Sequence, residues 1–305
     1  MTGVKKKKKS QLGGLLKKEV RYSTYAVIPA LVVFLLFKYY PLLQSVFYSF
    51  TDWNGFSSNY NFVGFENFKY AIKNLSVFKA FLNTFYFSVV SVGLGTIIQL
   101  IFAVILNQKF RGSGVYKTLV YIPVVISFMI LSLTWRYILQ YDGILNKIFN
   151  LLGWSAAQQD WLGDPRLAIN MLVMINLLQS SGLGIILFMA GLNSVPQDVY
   201  EAADLDGARG LKRFTKITWP LIMPAVTITL FVGITGSLQV FDLPYILTNG
   251  GPQDSTQTVM MLIYKMAFSE ERFGRSSAMG LIFFVVIAAI STCQLIYSRS
   301  KEVQQ

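Results

Sequence analysis

The chain contains no histidine and a single cysteine, Cys293. An internal disulfide is therefore impossible, and the side chains of Cys/His metal centres and histidine-based triads are missing. Charge is scarce too. Only 14% of the 305 residues are Asp, Glu, Lys or Arg, against about 25% in a soluble domain. Arg111-Gly112-Ser113-Gly114-Val115-Tyr116-Lys117-Thr118 imitates a phosphate-binding loop, but it lacks the glycine directly before the lysine and does not follow a strand. A Gly-x-Ser-x-Gly elbow is absent. The chain has no machinery of its own to hydrolyse ATP, so any ATP and Mg chemistry belongs to other subunits, and we expect no cofactor or metal bound here.

What is present is apolar. Hydrophobic residues make up 53% of the chain, and the mean hydropathy is +0.49. Apolar runs of about 20 residues, the length that crosses a bilayer, lie at 25–47, 84–106, 118–140, 167–192, 218–241 and 277–298. They do not alternate as barrel strands do, so the pattern predicts an all-α integral membrane protein with six transmembrane helices. Pro29, Pro123 and Pro224 fall inside or near these runs as candidate kinks.

All 15 acidic residues lie outside the six runs, whereas ion-coupled transporters usually keep a carboxylate within the membrane. Lys38 and Arg136 lie near the outer ends of their runs, where they can snorkel. The net charge of +12 is a matter of topology, with no nucleic acid implied. Residues 1–24 form a basic tail with eight Lys and Arg; it lacks a signal-peptide cleavage site and suits an anchor at anionic lipids. With the N-terminus inside, cytoplasmic segments hold 17 of the 27 Lys and Arg and the outer loops eight. This predicts a multi-pass protein of the cell membrane with both termini cytoplasmic.

The longest charged insert between apolar runs covers residues 194–224. Ser194 and Gln197 have capping-box spacing, Pro196 suits a first helical turn, and Val195, Val199, Ala202 and Leu205 recur at helical intervals. Gly207 supplies a stop, and a basic helix can follow from Arg209 to Lys216 before Pro220. On periodicity alone, an amphipathic helix lying on the membrane surface fits as well. The wording narrows the choice. Glu201-Ala202-Ala203, Asp206-Gly207-Ala208, Phe214, Ile217 and Pro220 resemble the EAA loop of binding-protein-dependent ABC importer permeases. Trp219 stands where that family usually has leucine.

Other segments resemble sugar-type permeases of the same superfamily. These are Tyr40-Pro41, Ser49-Phe50-Thr51-Asp52, Phe62 to Phe68, Asn83-Thr84, Phe110-Arg111-Gly112, Asp142 to Asn146 and Trp161-Leu162. Thr248-Asn249-Gly250-Gly251-Pro252 with Ser255-Thr256 is similar to a loop of the maltose-type subunit. The resemblance implies a type I ABC importer permease fold. Its parts are a tail at 1–24, a first helix and outer loop at 25–79, a five-helix core at 80–298 and a C-terminal tail at 299–305. The loop at 193–217, with Pro220 just beyond it, would couple to the ATPase through Glu201, Ala202, Ala203, Asp206, Gly207, Phe214 and Pro220. The implied partners are a second homologous permease, two ATPase subunits, an extracytoplasmic solute-binding protein and membrane lipids. The implied cargo is a sugar, foremost an oligosaccharide. A glycerol-phosphate diester or another small polar solute fits the same architecture, and an ATP-independent secondary transporter is the rival from another class.

Polar groups inside apolar helices are costly unless they face a cavity or pair across helices. Gln179, Ser180 and Ser181 of the fourth run, with Ser237 and Gln239 of the fifth, are therefore substrate-contact candidates, and Phe241 offers a ring for stacking on a sugar. The fourth and fifth spans line the sugar site in the resembling family. Hydrogen bonding between helices is the other use such residues have.

Overall fold

In the computed structural model, residues 27–302 except Lys109 are described. The basic tail expected at 1–24 lies outside them. The described residues are almost wholly helical; Thr51 and Phe62 form an isolated antiparallel bridge. We number the helices α1 (Val27–Tyr48), α2 (Glu66–Lys73), α3 (Leu75–Leu106), α4 (Ser113–Val125), α5 (Phe128–Leu139), α6 (Ile144–Leu151), α7 (Pro165–Ser194) and α8 (Gln197–Leu205). Then come α9 (residues 210–221), α10 (Met223–Leu238), α11 (Asp242–Leu247), α12 (Val259–Ser269) and α13 (Phe273–Arg299).

Five segments are long and apolar enough to cross a membrane, and a bent pair makes a sixth. The core is built by α3 and α7, with α10 against both and α13 against α10. Small residues allow the close approach. A Cβ on Gly182 would meet the Val120 carbonyl oxygen of α4 at 2.7 Å, and one on Gly191 would meet Ala225 Cβ at 2.5 Å. Helix starts carry side-chain caps: Asn74 accepts from the amides of Ser76 and Val77 before α3, and Asp164 accepts from Arg166 before α7. Asparagines of α2, α3 and α6 tie the connections down. Buried Asn67 donates to the Ser49 and Thr51 carbonyls at 2.9 and 2.7 Å, and Asn83 donates to those of Asp254 and Gln257. Asn146 accepts from the Trp161 indole at 2.9 Å. Asp52 accepts from the amide and side chain of Asn61, which holds its carboxyl below its ordinary pKa.

The third expected span is a broken one. The run 118–140 is two helices, and the path bends by 94° between Ser113–Val125 and Phe128–Leu151. Pro123 lies inside α4, but the break comes at Ile126 and Ser127, both extended. The carbonyl of Ile126, freed by the break, accepts from Gln179 Nε2 at 3.1 Å. Two other prolines perturb their helices. Single π turns at Leu35–Tyr39 and Phe214–Thr218 stand next to Pro41 and Pro220. A proline has no N–H to return to the preceding turn, and a wide turn absorbs the misfit.

Candidate functional site

Two features stand out, a cavity between α3, α7 and α10 and the paired helices α8 and α9 at one end of the molecule. The cavity holds about 250 Å³. Its polar lining comes from Ser91, Thr96 and Gln99 of α3, Asn176 and Ser180 of α7, and Thr229 and Ser237 of α10. Gly184, Gly233 and Gly236 widen it, and Phe128 at the start of α5 borders it. None of its lining residues carries a charge. The hydroxyls of Ser91 and Thr229 have no hydrogen-bond partner within the chain. Buried polar atoms rarely stay unpaired, and Ser132, Ser255 and Ser291 elsewhere in the chain share this state.

The expected contact residues separate. Ser180 and Ser237 line the cavity, and Ser237 Oγ also lies 2.7 Å from Ser88 Oγ across the helix interface. Gln179 is 2% exposed and turned to the break after α4. Ser181 donates to the Leu177 carbonyl and faces an apolar pocket beside Pro123. Gln239 is exposed in the short turn that follows α10. Phe241 sits in the same turn and stacks on Tyr245, with centroids 5.1 Å apart. The contribution of α3 went unread in the sequence. Its signal was there, in Ser91, Thr96 and Gln99 inside an apolar run.

At one end of the molecule the chain leaves α7 through Val195 and Pro196 into α8. Ser194 makes no capping box: it belongs to α7, and its hydroxyl returns to the Gly191 carbonyl. Pro196 precedes the first turn of α8, where it is the N-cap. The end of α8 closes as a Schellman turn, with Gly207 N–H bonding Asp204 O, Ala208 N–H bonding Ala203 O, and Gly207 at φ +71°. Arg213 of α9 locks the pair, reaching Asp204 at 3.0 Å and lying 5.5 Å from the Tyr200 ring centroid. Both partners of that ion pair are well exposed, so it contributes at most about 1 kcal/mol.

Ala203 is buried against this corner, while Glu201, Ala202 and Asp206 face outward. Of the residues at helical spacing, Val195 is buried and Val199 half-buried, whereas Ala202 is exposed and Leu205 is 91% exposed; Leu211 is 77% exposed. Phe214 half-lines a cleft of about 450 Å³ between α9 and the ends of α3 and α7. Pro220 follows the π turn of α9. The outward surface thus includes two carboxylates, a small residue and two leucines on short, braced helices. Among the described residues no cluster of acidic or sulfur side chains is arranged to hold a metal ion.

Comparison with known proteins places this architecture. The multiple sugar-binding transport system permease protein MsmF of Streptococcus mutans is 30% identical over 280 residues, covering 92% of this chain and 96% of that protein. The trehalose/maltose transport system permease protein MalF of Thermococcus litoralis is 32% identical over 279 residues, covering 91% and 94%. A solved bacterial ABC transporter involved in import of the acidic polysaccharide alginate has a subunit that superposes with a TM-score of 0.80. It covers 93% of this chain and 98% of that one at 23% identity, a likeness of fold. Residues 91–302 match the family model described as the inner membrane component of binding-protein-dependent transport systems, and the chain belongs to that family.

Proposed function

We propose that this chain is the permease subunit of an ATP-driven importer that carries an oligosaccharide across the cell membrane. It would work with a second homologous permease, two ATPase subunits and an extracytoplasmic solute-binding protein. The observation that carries the reading is the uncharged cavity, whose largely apolar walls carry several hydroxyls and amides and two of whose walls, α7 and α10, are the helices that run into the α8–α9 loop. A neutral sugar presents many hydroxyls and no charge, which suits such a lining. A glycerol-phosphate diester meets no Lys or Arg there. The sugar-transport names of the relatives support the same class.

The α8–α9 loop would face the cytoplasm, with both termini, and dock on an ATPase through Glu201, Ala202, Leu205 and Leu211. Closure of the ATPases would then shift the population of inward- and outward-facing states by their differential binding to this loop. The test is ATP-dependent uptake by the reconstituted complex, with retention of the ATPase as the binding control. Losing a carboxylate from a partly desolvated contact costs on the order of 2–5 kcal/mol, so Glu201→Ala should lower uptake strongly and loosen or uncouple the ATPase. Gly207→Val should do the same by disturbing a left-handed turn that only glycine adopts freely. Full uptake with intact ATPase retention in both variants would sink the docking assignment.

A further inference from the structure

Beyond the cavity, aromatic rings continue in an unbroken line. Phe241, in the turn four residues past Ser237, stacks on Tyr245 of α11. Tyr245 meets Tyr264 of α12 at 5.5 Å, Tyr264 meets Phe268 at 5.0 Å, and Phe268 meets Phe273 at the start of α13 at 5.5 Å. Phe273 then meets Phe56, in the loop after α1, at 6.3 Å. Six rings from three stretches of the chain, 56, 241–245 and 264–273, thus form one line that starts four residues past the cavity wall at Ser237.

The line is braced. Gly55, at φ +93°, lies so close to the Phe273 ring that a Cβ there would sit 2.3 Å from it, so the loop is seated directly on the ring. Phe241, Tyr264 and Phe273 are half-buried, whereas Phe56, Phe268 and Tyr245 are 75, 64 and 39% exposed. The exposed rings are therefore held in place by the covered ones, which lowers the entropic cost of binding anything to them.

Their surroundings are polar. Asp242 follows Phe241, Glu270 and Glu271 follow shortly after Phe268, and all three carboxylates are exposed. Arg272 pairs with Glu270 at 3.5 Å, and Lys265 donates to the Asn249 carbonyl and the Gln257 side chain. Here each exposed ring has hydrogen-bonding groups within a few residues.

We propose that this line is a track for a neutral oligosaccharide, along which the part of a chain too long for the cavity lies while one end enters at Ser237. The C–H faces of sugar rings stack on aromatic faces, and sugar hydroxyls donate to the neighbouring carboxylates. The proposal rests on the oligosaccharide-importer reading above and adds a second binding region to it.

The test is import by the reconstituted complex, with its binding protein and ATP, of neutral gluco-, xylo-, manno- and galacto-oligosaccharides of two to six units. Wild type is compared with Phe268→Ala, Phe56→Ala, their double variant and Phe268→Trp. The binding protein is common to all, so its own length preference cancels in the comparison. The double variant should lose about five- to tenfold of its hexasaccharide uptake, keep its disaccharide uptake, and Phe268→Trp should restore the difference. If disaccharide and hexasaccharide fall together, the rings serve packing, the bilayer interface or the second permease, and the track is overturned while the importer reading stands. An unchanged length dependence in the double variant overturns it equally. If wild type imports no member of the panel, the oligosaccharide reading itself falls and takes the track with it.

Discussion

Two glycines of α7, only two residues apart, separate packing from cavity function. Adding a methyl group at Gly182 places it 2.6 Å from Val124 Cγ2, 2.7 Å from the Val120 carbonyl oxygen and 3.3 Å from Tyr121 Cα. Backbone cannot step aside without moving α4, and such overpacking costs about 1–3 kcal/mol. Alanine gains back about 0.5–1 kcal/mol over glycine within a helix, so the net should remain destabilising. At Gly184 the same methyl lands 2.1 Å from Gln99 Oε1 and 2.3 Å from its Cδ. That is the free end of a flexible side chain bordering open volume, and swinging it to a poorer rotamer costs about 0.5–1.5 kcal/mol. The helix gain offsets this, leaving stability nearly unchanged. Gly184→Ala, however, drives the Gln99 amide and the new methyl into the cavity. We expect the purified complex carrying Gly182→Ala to melt at lower temperature, and the complex carrying Gly184→Ala to melt like wild type while uptake falls several-fold. Normal uptake by Gly184→Ala, with the cavity visibly narrowed, would refute the assignment of this volume as the transport path. Equal loss of melting temperature in both variants would refute the distinction between helix contact and cavity wall.

Gln179→Ala should act through structure more than through the cargo: it leaves the Ile126 carbonyl unpaired at the break, a loss of about 1–3 kcal/mol, and melting of the complex should drop while the relative uptake of different sugars stays the same. Topology is checked with single cysteines at Leu205 and Gln253 in a Cys293→Ser background, both sites being exposed. An impermeant thiol reagent applied to sealed cells should label position 253 only, and labelling at 205 would reverse the orientation.

The long apolar runs were legible because a bilayer imposes a length and a composition that few soluble segments meet. The break between α4 and α5 was not, since Pro123 marks a weak point whereas the bend follows three residues later and is held by Gln179, 53 residues away in sequence. Polarity inside a run flagged Gln179, Ser180, Ser181 and Ser237 as needing partners without saying which. Two line the cavity, one serves a broken helix, and one bonds within its own turn. Leu205 shows the limit of periodicity. Its spacing groups it with Val195, Val199 and Ala202, yet only Val195 of the four is fully covered and Leu205 faces away from the chain. Ser194 had the right neighbours for a cap, but α7 simply runs on through it.

The connections of the α8–α9 loop have a mechanical consequence. Val195 and Pro196 alone separate α7 from α8, and Ile222 alone separates α9 from α10. Pro196 has its φ fixed by its own ring, and Val195 is packed in the core at that end. Such joints have almost no slack, and the Arg213–Asp204 clasp keeps the two short helices from spreading. A 30-residue helix such as α7 is about 45 Å long, so a small displacement at its Ser194 end is carried as a tilt along the full height of the cavity wall. In the coupling role proposed above, the loop would be a handle fixed to two levers, and its stiffness would set how little of a push is lost before it reaches Ser180 and Thr229.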